Sequence, residues 1–395
     1  MNTPAKASGP INIEPALTAL AAALHGEGPA VELSIGDDGA LVVGHLETPG
    51  CDDAVAVVRT SGSTGAPKAT VLTVESLAAS SMATALALKG EGQWLLALPV
   101  QYVAGIQVLV RSLFAGTRPW VMDMSHGFTP EAFTAAAQEL TDKIRFTSLV
   151  PTQLQRLLDA PSPETLAVLR RFNAVLLGGA PAPASLLAAA REAGVRVITT
   201  YGSAESCGGC VYDGFPLEGV SVRVEEDGRI LLGGDTIAAG YLESPESTDT
   251  FFEEDGVRWY RTSDLGSIDD DGRLTVLGRA DDVIITGGVK VSAAHIQEEL
   301  EKSDGVAAAF VAGVPSTEWG QAVAAYVALA DPAPDPAPGA EAGDTAVVLE
   351  QQWHRTLGAL APKTVLAASG LLMLPNGKPD RLAMTAELKA RHQGK

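Results

Sequence analysis

The chain has 395 residues, of which 46% are hydrophobic and 19% charged, so it can build two or three folded domains and is not a disordered protein. Its formal net charge of −20 at pH 7 makes nucleic acid and anionic lipid poor partners, and an anionic ligand would need a local cationic pocket. We expect a cytoplasmic protein without membrane insertion. The chain has only three cysteines, residues 1–21 lack a secretory signal pattern, and no apolar run is long enough to span a membrane.

Apolar strand-like runs alternate with Ala- and Leu-rich helical segments through the first two thirds of the chain. The patterns predict, in order, strands at 54–58 and 94–98, a helix at 128–140, strands at 144–150 and 174–177, a helix at 184–193 and a strand at 195–200. This alternation is typical of an α/β protein with layered, mainly parallel sheets.

After residue 219 the predicted elements become shorter. Asp-Gly pairs predict hairpins, and a polar segment at 278–282 separates two apolar patterns. We therefore expect a large domain over residues 1–278 and a small α+β domain over 283–395. The later elements predicted are hairpin turns at 226–228 and 270–272, a helix at 293–303, a strand at 307–314 and an exposed Pro-, Ala- and acid-rich loop at 331–344.

The most informative segment follows the first predicted strand. It consists of Thr60, Ser61, Gly62, Ser63, Thr64, Gly65, Ala66, Pro67 and Lys68. Glycines let backbone N–H groups approach a ligand closely, and hydroxyls with a lysine suit a polyphosphate. A Walker A loop needs Gly directly before the Lys, and Pro67 stands there instead. The alternative reading is a flexible surface loop.

Two further glycine-containing turns are predicted after strands. They consist of Gly178, Gly179, Ala180 and Pro181, and of Tyr201, Gly202, Ser203, Ala204 and Glu205. Ligands of open α/β sheets gather outside the carboxyl ends of strands, so the three turns point to one crevice. Tyr201 offers an aromatic face for a purine, and Glu205 offers a carboxylate for Mg²⁺. An ordinary solvated carboxylate is the alternative for Glu205.

These motifs and four later segments together resemble those of the adenylate-forming superfamily. This superfamily contains acyl- and aryl-CoA synthetases, luciferases and peptide-synthetase adenylation domains. The later segments are residues 228–242, 260–266, 278–282 and 375–381. The resemblance runs from Thr60 to Arg381 in the family order. It implies ATP, Mg²⁺ and CoA as cofactor and co-substrates, and a small mobile C-terminal domain.

The reaction of this family explains the residue types. A carboxylate attacks the α-phosphate of ATP, and cations and N–H groups must offset the repulsion between two anions. A thiol then attacks the acyl-adenylate. The resemblance assigns phosphate binding to Thr60, Ser61, Gly62, Ser63, Thr64, Gly65 and Lys68; adenine binding to Gly178, Gly179, Ala180, Pro181 and Tyr201; further nucleotide contacts to Gly202 and Ser203; Mg²⁺ to Glu205; the ribose hydroxyls to Asp264; a second ribose or phosphate contact to Arg279; a hinge at 279–282 with Asp281; CoA contacts to Gly287 and Gly288; and catalysis to Lys378 with Lys68. On its local sequence alone, Lys378 would be an exposed turn lysine.

Residues 98–116 bear on the acid that is activated. Arg111 interrupts an apolar helical pattern, and a buried guanidinium needs an anionic partner. We predict a bidentate clamp for a substrate carboxylate, with a structural salt bridge or a surface arginine as the alternative. The segment, together with Gly208 and Gly209, is similar to the ligase family that joins o-succinylbenzoate to CoA in menaquinone synthesis. That similarity places Tyr102, Gln107, Arg111, Gly208 and Gly209 at the acid.

The chain also departs from the family pattern. Gln101 and Tyr102 stand where one or two histidines are frequent, Ala204 replaces a Ser or Thr before the motif Glu, and fewer residues precede the phosphate loop than is usual. Ser203 could take over the lost hydroxyl contact. Cys207 and Cys210 form a CxxC pair without two further zinc ligands at suitable spacing, so we do not expect a zinc site. We expect the glycines between them to line a pocket, with a redox motif as the alternative.

Four functional readings follow from these observations. The leading one is an ATP-dependent o-succinylbenzoate–CoA ligase, and the second is another aryl- or acyl-CoA synthetase. A stand-alone adenylation domain is disfavoured because no carrier-domain serine motif follows Arg381. An inactive nucleotide-binding regulator is disfavoured because Lys68, Glu205, Asp264 and Lys378 are all present. The expected partners are an aromatic acid, ATP and CoA, and a homodimer is left open.

Overall fold

The structure, a computed structural model, describes residues 9–48, 50–61, 67–242, 249–329, 342–374 and 379–393. Within these residues the chain forms ten α-helices: α1 (Glu14–Leu24), α2 (Val74–Leu88), α3 (Val103–Phe114), α4 (Pro130–Gln138), α5 (Pro151–Leu158), α6 (Pro163–Arg170), α7 (Ala184–Glu192), α8 (Ala293–Glu301), α9 (Ala342–Leu357) and α10 (Arg381–Gln393).

The strands of the same residues number 22. They are β1 (Ala30–Ile35), β2 (Leu41–Leu46), β3 (Ala54–Ser61), β4 (Pro67–Thr73), β5 (Gln93–Leu96), β6 (Trp120–Val121), β7 (Arg145–Leu149), β8 (Ala174–Leu177), β9 (Val197–Ser203), β10 (Gly208–Tyr212), β11 (Phe215–Pro216), β12 (Val220–Val224), β13 (Arg229–Gly234), β14 (Gly240–Tyr241), β15 (Phe251–Glu254), β16 (Val257–Ile268), β17 (Leu274–Arg279), β18 (Val283–Thr286), β19 (Val289–Ser292), β20 (Val306–Ser316), β21 (Gly320–Leu329) and β22 (Thr364–Ala368).

The chain divides into two compact units. The first comprises Met1–Arg223, Leu231–Thr262 and Asp270–Leu274, and the second comprises Val224–Ile230, Ser263–Asp269 and Thr275–Lys395. A four-stranded path β12-β13-β16-β15, with β17 beside β16, is built from the middle of the chain. The turns with Gly228 (φ +86°) and Gly272 (φ +78°) join neighbouring strands of that sheet, as the Asp-Gly pairs predict.

The largest sheet of the first unit has seven strands in the order β11-β10-β9-β8-β7-β5-β6. Strands β9, β8, β7, β5 and β6 are parallel, whereas β10 and β11 are antiparallel. All four residues of β8 are buried, which is typical of a parallel strand covered on both faces. Helices α4 to α7 supply one core, to which Phe133, Leu154, Leu169 and Leu186 belong.

This sheet confirms the predicted α/β fold class, with parallel pairing concentrated in it. Each strand and helix predicted between residues 94 and 200 is present, with ends that differ by a few residues. The predicted strand at 195–200 is the largest correction, because β9 continues through Ser203 by pairing with β10. The described part of the chain contains no helix with the length and apolar character needed to cross a bilayer.

A second sheet of the first unit carries the Ser/Thr/Gly-rich segment. Its order is β14-β4-β3-β1-β2, and β3 and β4 form an antiparallel hairpin in which Thr60 lies opposite Lys68. The predicted strand at 54–58 therefore extends to Ser61. Buried β-branched residues at positions 55, 57 and 58, together with ladder pairing, carry it beyond the last apolar residue.

The second unit has its own sheet, β19-β18-β21-β20, with β22 parallel to β21. Successive residues of β20 point to opposite faces, so Ala309 and Val311 join α8 in one core while Phe310 joins α10 in another. The Ser292 side chain accepts a hydrogen bond from His295 N and caps α8. Of the predicted loop at 331–344, residues 331–341 lie outside the described residues, and 342–344 are helical because α9 begins at Ala342.

Candidate functional site

The hairpin of β3 and β4 presents the two ends of the predicted phosphate loop. Thr60 and Ser61 end β3, and Lys68 lies exposed on β4. Both flanks of the segment are held by ladder hydrogen bonds between β3 and β4. The residues at its tip lie outside the described residues: Gly62, Ser63, Thr64, Gly65 and Ala66.

Strand β14 brings a tyrosine beside this hairpin. Tyr241 is opposite Thr70 of β4, and Leu242 N donates to Ala69 O at 2.8 Å. Lys68 lies two residues from Thr70, so strand alternation puts it on the same face. Its Nζ lies 4.8 Å from the Tyr241 ring centroid, a cation–π contact.

Glu205 completes this cluster on the other side of the tyrosine. The Tyr241 hydroxyl donates to Glu205 Oε1 at 2.8 Å, and Ala238 N donates to the Glu205 carbonyl oxygen at 2.9 Å. Glu205 is 7% exposed. Burial raises the pKa of Tyr241, and the Glu205 carboxylate raises it further, so the phenol is a hydrogen-bond donor across the neutral range.

The predicted adenine segment follows β8, next to β9. Leu177 pairs with Thr199 in parallel register, so Gly178 to Pro181 leave the sheet at the edge where β9 also ends. A Cβ on Gly178 would lie 2.4 Å from Thr200 Oγ1, which explains the glycine. Gly179 has φ +84°, a left-handed conformation that glycine adopts without strain.

The segment that follows differs from the predicted turn. Tyr201, Gly202 and Ser203 are strand residues of β9, and the turn is a single 3-10 turn from Ala204 to Ser206. A Cβ on Gly202 would lie 2.0 Å from Gly208 O, so close β9–β10 pairing requires glycine. The Ser203 Oγ is buried and has no hydrogen-bond partner among the described residues, which suits a hydroxyl reserved for a ligand.

Helix α3 and β10 bring together four of the five residues predicted at the acid. Tyr102 is the N-cap of α3, and burial raises its pKa. Gln107 donates from Nε2 to Cys207 O at 2.6 Å. A Cβ on Gly208 would contact Gln107 Cγ at 3.6 Å, and a Cβ on Gly209 would meet Thr200 Cβ at 2.9 Å. Glycine at position 209 is therefore required by the close packing of β10 on β9, and Gly208 leaves the side chain of Gln107 unobstructed.

Arg111 lies one turn further along α3, at the other end of β10. Its guanidinium carbon is 5.3 Å from the Trp94 ring centroid, and the hydroxyl of Tyr212 lies beside it. Burial lowers the pKa of Arg111, and Tyr212 offsets part of that effect. Its Nε is buried without a hydrogen-bond acceptor, and none of the described acidic side chains forms an ion pair with it.

A row of hydroxyls on α2, which was not predicted from the sequence, faces these residues. Ser76, Ser80 and Thr84 recur every four residues and are buried. Ser80 Oγ donates to Cys207 O at 3.2 Å, and Thr84 Oγ1 lies 3.1 Å from Tyr212 Oη. Their spacing on an Ala-rich helix could have predicted this row, because hydroxyl residues at i and i+4 lie on one face of a helix. Tyr241 was also missed as a site residue.

Cys207 and Cys210 are buried free thiols. Burial raises the pKa of each to about 12, so both are protonated and unreactive near neutral pH. Among the described residues, no group of three or more His, Cys, Asp or Glu side chains could hold a metal ion. Both cysteines are core residues that flank Gly208 and Gly209.

The second unit carries the remaining predicted residues. Asp264 lies on β16 and Arg279 ends β17, directly before a 3-10 turn that contains Asp281. Arg381 forms an ion pair with Asp282. Gly287 and Gly288 make the β18–β19 turn, with φ +55° and +82°, and a Cβ on Gly287 would lie 2.9 Å from the Trp319 ring. Lys378 lies outside the described residues.

The sequence profile of the AMP-binding enzyme family matches residues 29–242, more than half of the chain, and the profile of the AMP-binding enzyme C-terminal domain matches residues 295–378. The chain belongs to the AMP-binding enzyme family. This confirms the resemblance to adenylate-forming enzymes and the fold class derived from it.

Individual relatives narrow the comparison. The chain is 42% identical over 336 residues to a probable 2-succinylbenzoate–CoA ligase of Mycobacterium tuberculosis, covering 84% of each chain. It is 31% identical over 296 residues to the 2-succinylbenzoate–CoA ligase of Listeria monocytogenes, covering 71% of this chain and 61% of the relative.

Solved structures of two kinds resemble this fold. The o-succinylbenzoate CoA synthetase of Bacillus subtilis in complex with its acyl-adenylate intermediate has a TM-score of 0.69 at 26% identity, covering 87% of this chain and 70% of that one. ATP-bound MatB of Rhodopseudomonas palustris has a TM-score of 0.73 at 25% identity, covering 90% and 74%. The fold is therefore shared by enzymes whose names differ.

Proposed function

We propose that this chain is an AMP-forming ligase that activates 2-succinylbenzoate with ATP, releases pyrophosphate, and transfers the acyl group to CoA. The products are 2-succinylbenzoyl-CoA and AMP. The choice of acid is supported above all by Arg111, a buried cation without an acidic partner among the described residues, which lies one helical turn from Gln107 on α3. The identity to the mycobacterial relative over 84% of both chains supports the same choice.

The nucleotide side of the reaction is assigned to the segments that follow β3, β8 and β9, which belong to two sheets of the first unit. We assign the triphosphate to Thr60, Lys68 and the tip of their hairpin, and the adenine to Tyr201 and the segment after β8. The orphan Ser203 hydroxyl is a donor for a phosphate oxygen, in the place of the hydroxyl that Ala204 lacks. Asp264 and Arg279 are assigned to the ribose hydroxyls.

Glu205 is the residue that would hold Mg²⁺. Its Oε1 accepts the Tyr241 hydroxyl, and no described residue donates to Oε2. A single carboxylate of this kind fits Mg²⁺, which keeps several waters and binds one or two carboxylates together with substrate phosphates. The bound ion would neutralise phosphate charge.

In the first half-reaction, a carboxylate oxygen of the acid forms a bond to the α-phosphorus of ATP while the bond to the β-phosphate oxygen breaks and pyrophosphate leaves. Lys378 is assigned to the carboxylate and the α-phosphate, where it offsets the repulsion between two anions. Lys68 neutralises the phosphates that depart. In the second half-reaction, the CoA sulfur bonds to the acyl carbon and AMP departs.

The C-terminal part of the chain is proposed to serve both half-reactions. Residues 1–278 form the large domain, residues 283–395 form the small domain, and 279–282 with Asp281 act as the hinge between two working positions. Gly287 and Gly288 would then line the path of the CoA thiol, since their tight turn lacks side chains that could obstruct it. We further propose that the enzyme works in the cytoplasm, in menaquinone synthesis; a homodimer stays open.

Another aryl- or acyl-CoA synthetase is the second candidate. It is favoured by the TM-score of MatB, which is similar to that of the o-succinylbenzoate CoA synthetase, so the backbone alone does not select the acid. The side chains of α3 around Gln107 and Arg111 decide between the candidates.

A pyrophosphate-release assay tests the proposal. The purified chain is incubated with ATP, Mg²⁺ and one acid at a time (2-succinylbenzoate, benzoate, a fatty acid or an amino acid), with and without CoA. We expect fast release with 2-succinylbenzoate and formation of its CoA thioester. Release with benzoate but not with 2-succinylbenzoate would refute the choice of acid while preserving the ligase assignment.

A further inference from the structure

Tyr241 contacts both charged residues of the first unit that are assigned to the ATP phosphates. Its ring face lies 4.8 Å below Lys68 Nζ, and its hydroxyl donates to Glu205 Oε1 at 2.8 Å. The Tyr241 and Glu205 residues are 5% and 7% exposed, so the hydrogen bond between them is shielded from water. Shielding strengthens this bond relative to a surface contact, whereas the ring contact involves an exposed lysine.

Three backbone contacts fix the tyrosine in this position. Strand β14 pairs with β4 through Tyr241 and Thr70, Ala239 N donates to Val71 O, and Ala238 N donates to Glu205 O at 2.9 Å. The Phe251 ring packs edge-on against Tyr241 with centroids 5.2 Å apart. The phenol therefore has one orientation, in which hydroxyl and ring face different charged groups.

We propose that Tyr241 is a positioning residue for ATP, which holds the Glu205 carboxylate through its hydroxyl and the Lys68 ammonium through its ring. With Oε1 engaged by the phenol, the carboxylate cannot rotate freely and Oε2 keeps a fixed direction. With its ammonium over the ring, Lys68 is restrained without losing its charge. The inference rests on the proposed nucleotide roles of Glu205 and Lys68.

A purely structural role is the competing explanation, because the ring also packs on Phe251. Tyr241→Phe separates the two, since it keeps the ring, the Lys68 contact and the Phe251 contact and removes only the hydroxyl. The matched control is Tyr326→Phe, which removes the hydroxyl of another buried tyrosine, on β21 in the second unit.

The experiment compares the wild-type chain with Tyr241→Phe, Glu205→Gln and the double variant. Calorimetry measures the Kd of α,β-methylene-ATP with Mg²⁺, and the pyrophosphate assay gives KM for ATP and for CoA. We expect Tyr241→Phe to raise Kd and KM for ATP roughly 10- to 100-fold, as the loss of one hydrogen bond to a charged group predicts, with KM for CoA unchanged. Tyr326→Phe should change none of these.

The double variant identifies the route of the effect. If Tyr241 acts through Glu205, Tyr241→Phe adds little to the loss already caused by Glu205→Gln. Independent, multiplicative losses would overturn the proposal, as would an unchanged Kd in Tyr241→Phe. If Glu205→Gln itself leaves ATP binding unchanged, the proposed nucleotide role of Glu205 fails instead. Should Tyr241→Phe not fold, Glu205→Asp tests the same contact by withdrawing the carboxylate from the hydroxyl.

Discussion

Arg111 shows how one side chain can indicate the chemistry of a substrate. A guanidinium removed from water needs an anion or several acceptors, and here Trp94 and Tyr212 supply only a ring face and a hydroxyl. The buried Nε without an acceptor is a cost that folding alone does not explain. A second substrate carboxylate would offset that cost, and a monocarboxylic acid would not.

We therefore expect Arg111→Ala to raise KM for 2-succinylbenzoate roughly 10- to 100-fold, since a hydrogen bond to a charged group contributes about 1.5–3 kcal/mol. KM for benzoate should change little. The KM of Arg111→Lys for 2-succinylbenzoate should lie between those of the wild type and Arg111→Ala, because lysine keeps the charge and loses the planar guanidinium. Steady-state assays with both acids measure this. An equal rise for both acids would assign Arg111 to folding rather than to recognition.

Lys378 is a second residue for which we propose a role in one step only. Lys378→Ala should lower the rate of adenylation by at least 100-fold and leave thioester formation from a supplied acyl-adenylate within a few-fold, because its charge is needed only where two anions meet. Single-turnover assays of the two half-reactions measure the difference. Lys389→Ala, on α10, is the matched control. Equal loss in both half-reactions would contradict the assignment.

At the scale of elements, the pairing of β9 with β10 determines where the site residues lie. This pairing continues β9 past its apolar part and moves the turn to Ala204, so that Ser203 and Glu205 are placed by a ladder rather than by a flexible loop. The ladder depends on Gly202, because the Gly208 carbonyl occupies the space of a side chain.

Gly202→Ala should consequently destabilise the first unit by about 1–3 kcal/mol, the range for overpacking, and raise KM for ATP. Urea titration and the pyrophosphate assay measure the two effects. Gly370→Ala is the control, since no atom lies within 4 Å of its Cβ position. An unchanged urea midpoint for Gly202→Ala would contradict this, because β10 would then move away from the added methyl group without a loss of stability.

At the scale of the whole molecule, the net charge of the protein has the same sign as the charge of its proposed substrates. The chain carries a net charge of −20, and yet its proposed substrates are all anions. Binding must therefore come from a few local cations rather than from the long-range field. Salt should accordingly affect KM for ATP less than it would in a protein that attracts anions over its whole surface.

The buried thiols predict how the stability of the whole chain depends on pH. The pKa of Cys207 and of Cys210 is about 12 in the folded chain, against about 8.5 in an unfolded one, so the folded state holds these protons more tightly. Their contribution to stability is complete below about pH 8.5 and is lost as pH rises toward 12. The free energy of unfolding should fall between pH 8 and 10.5, and less steeply in Cys207→Ala/Cys210→Ala. Equal slopes would contradict this.

The elements of the parallel sheet could be predicted from sequence because each is a local apolar pattern bounded by Gly or Pro. The strand at 174–177 and the helix at 184–193 are examples whose bounds match closely. The ends of β3 and β9 could not be predicted, since they depend on hydrogen bonds to strands that come later in the chain.

The sequence by itself determined the family, the fold class and the residue types of an adenylating site, because motifs with fixed local geometry carry that information. Only the tertiary structure decided that Tyr241 contacts Glu205 and Lys68, which lie 36 and 173 residues from it along the chain. It also decided that Arg111 is separated from Gly208 by the length of β10 and faces hydroxyls of α2. The physical reason is that burial and partnership are properties of packing between distant segments, and no local pattern encodes them.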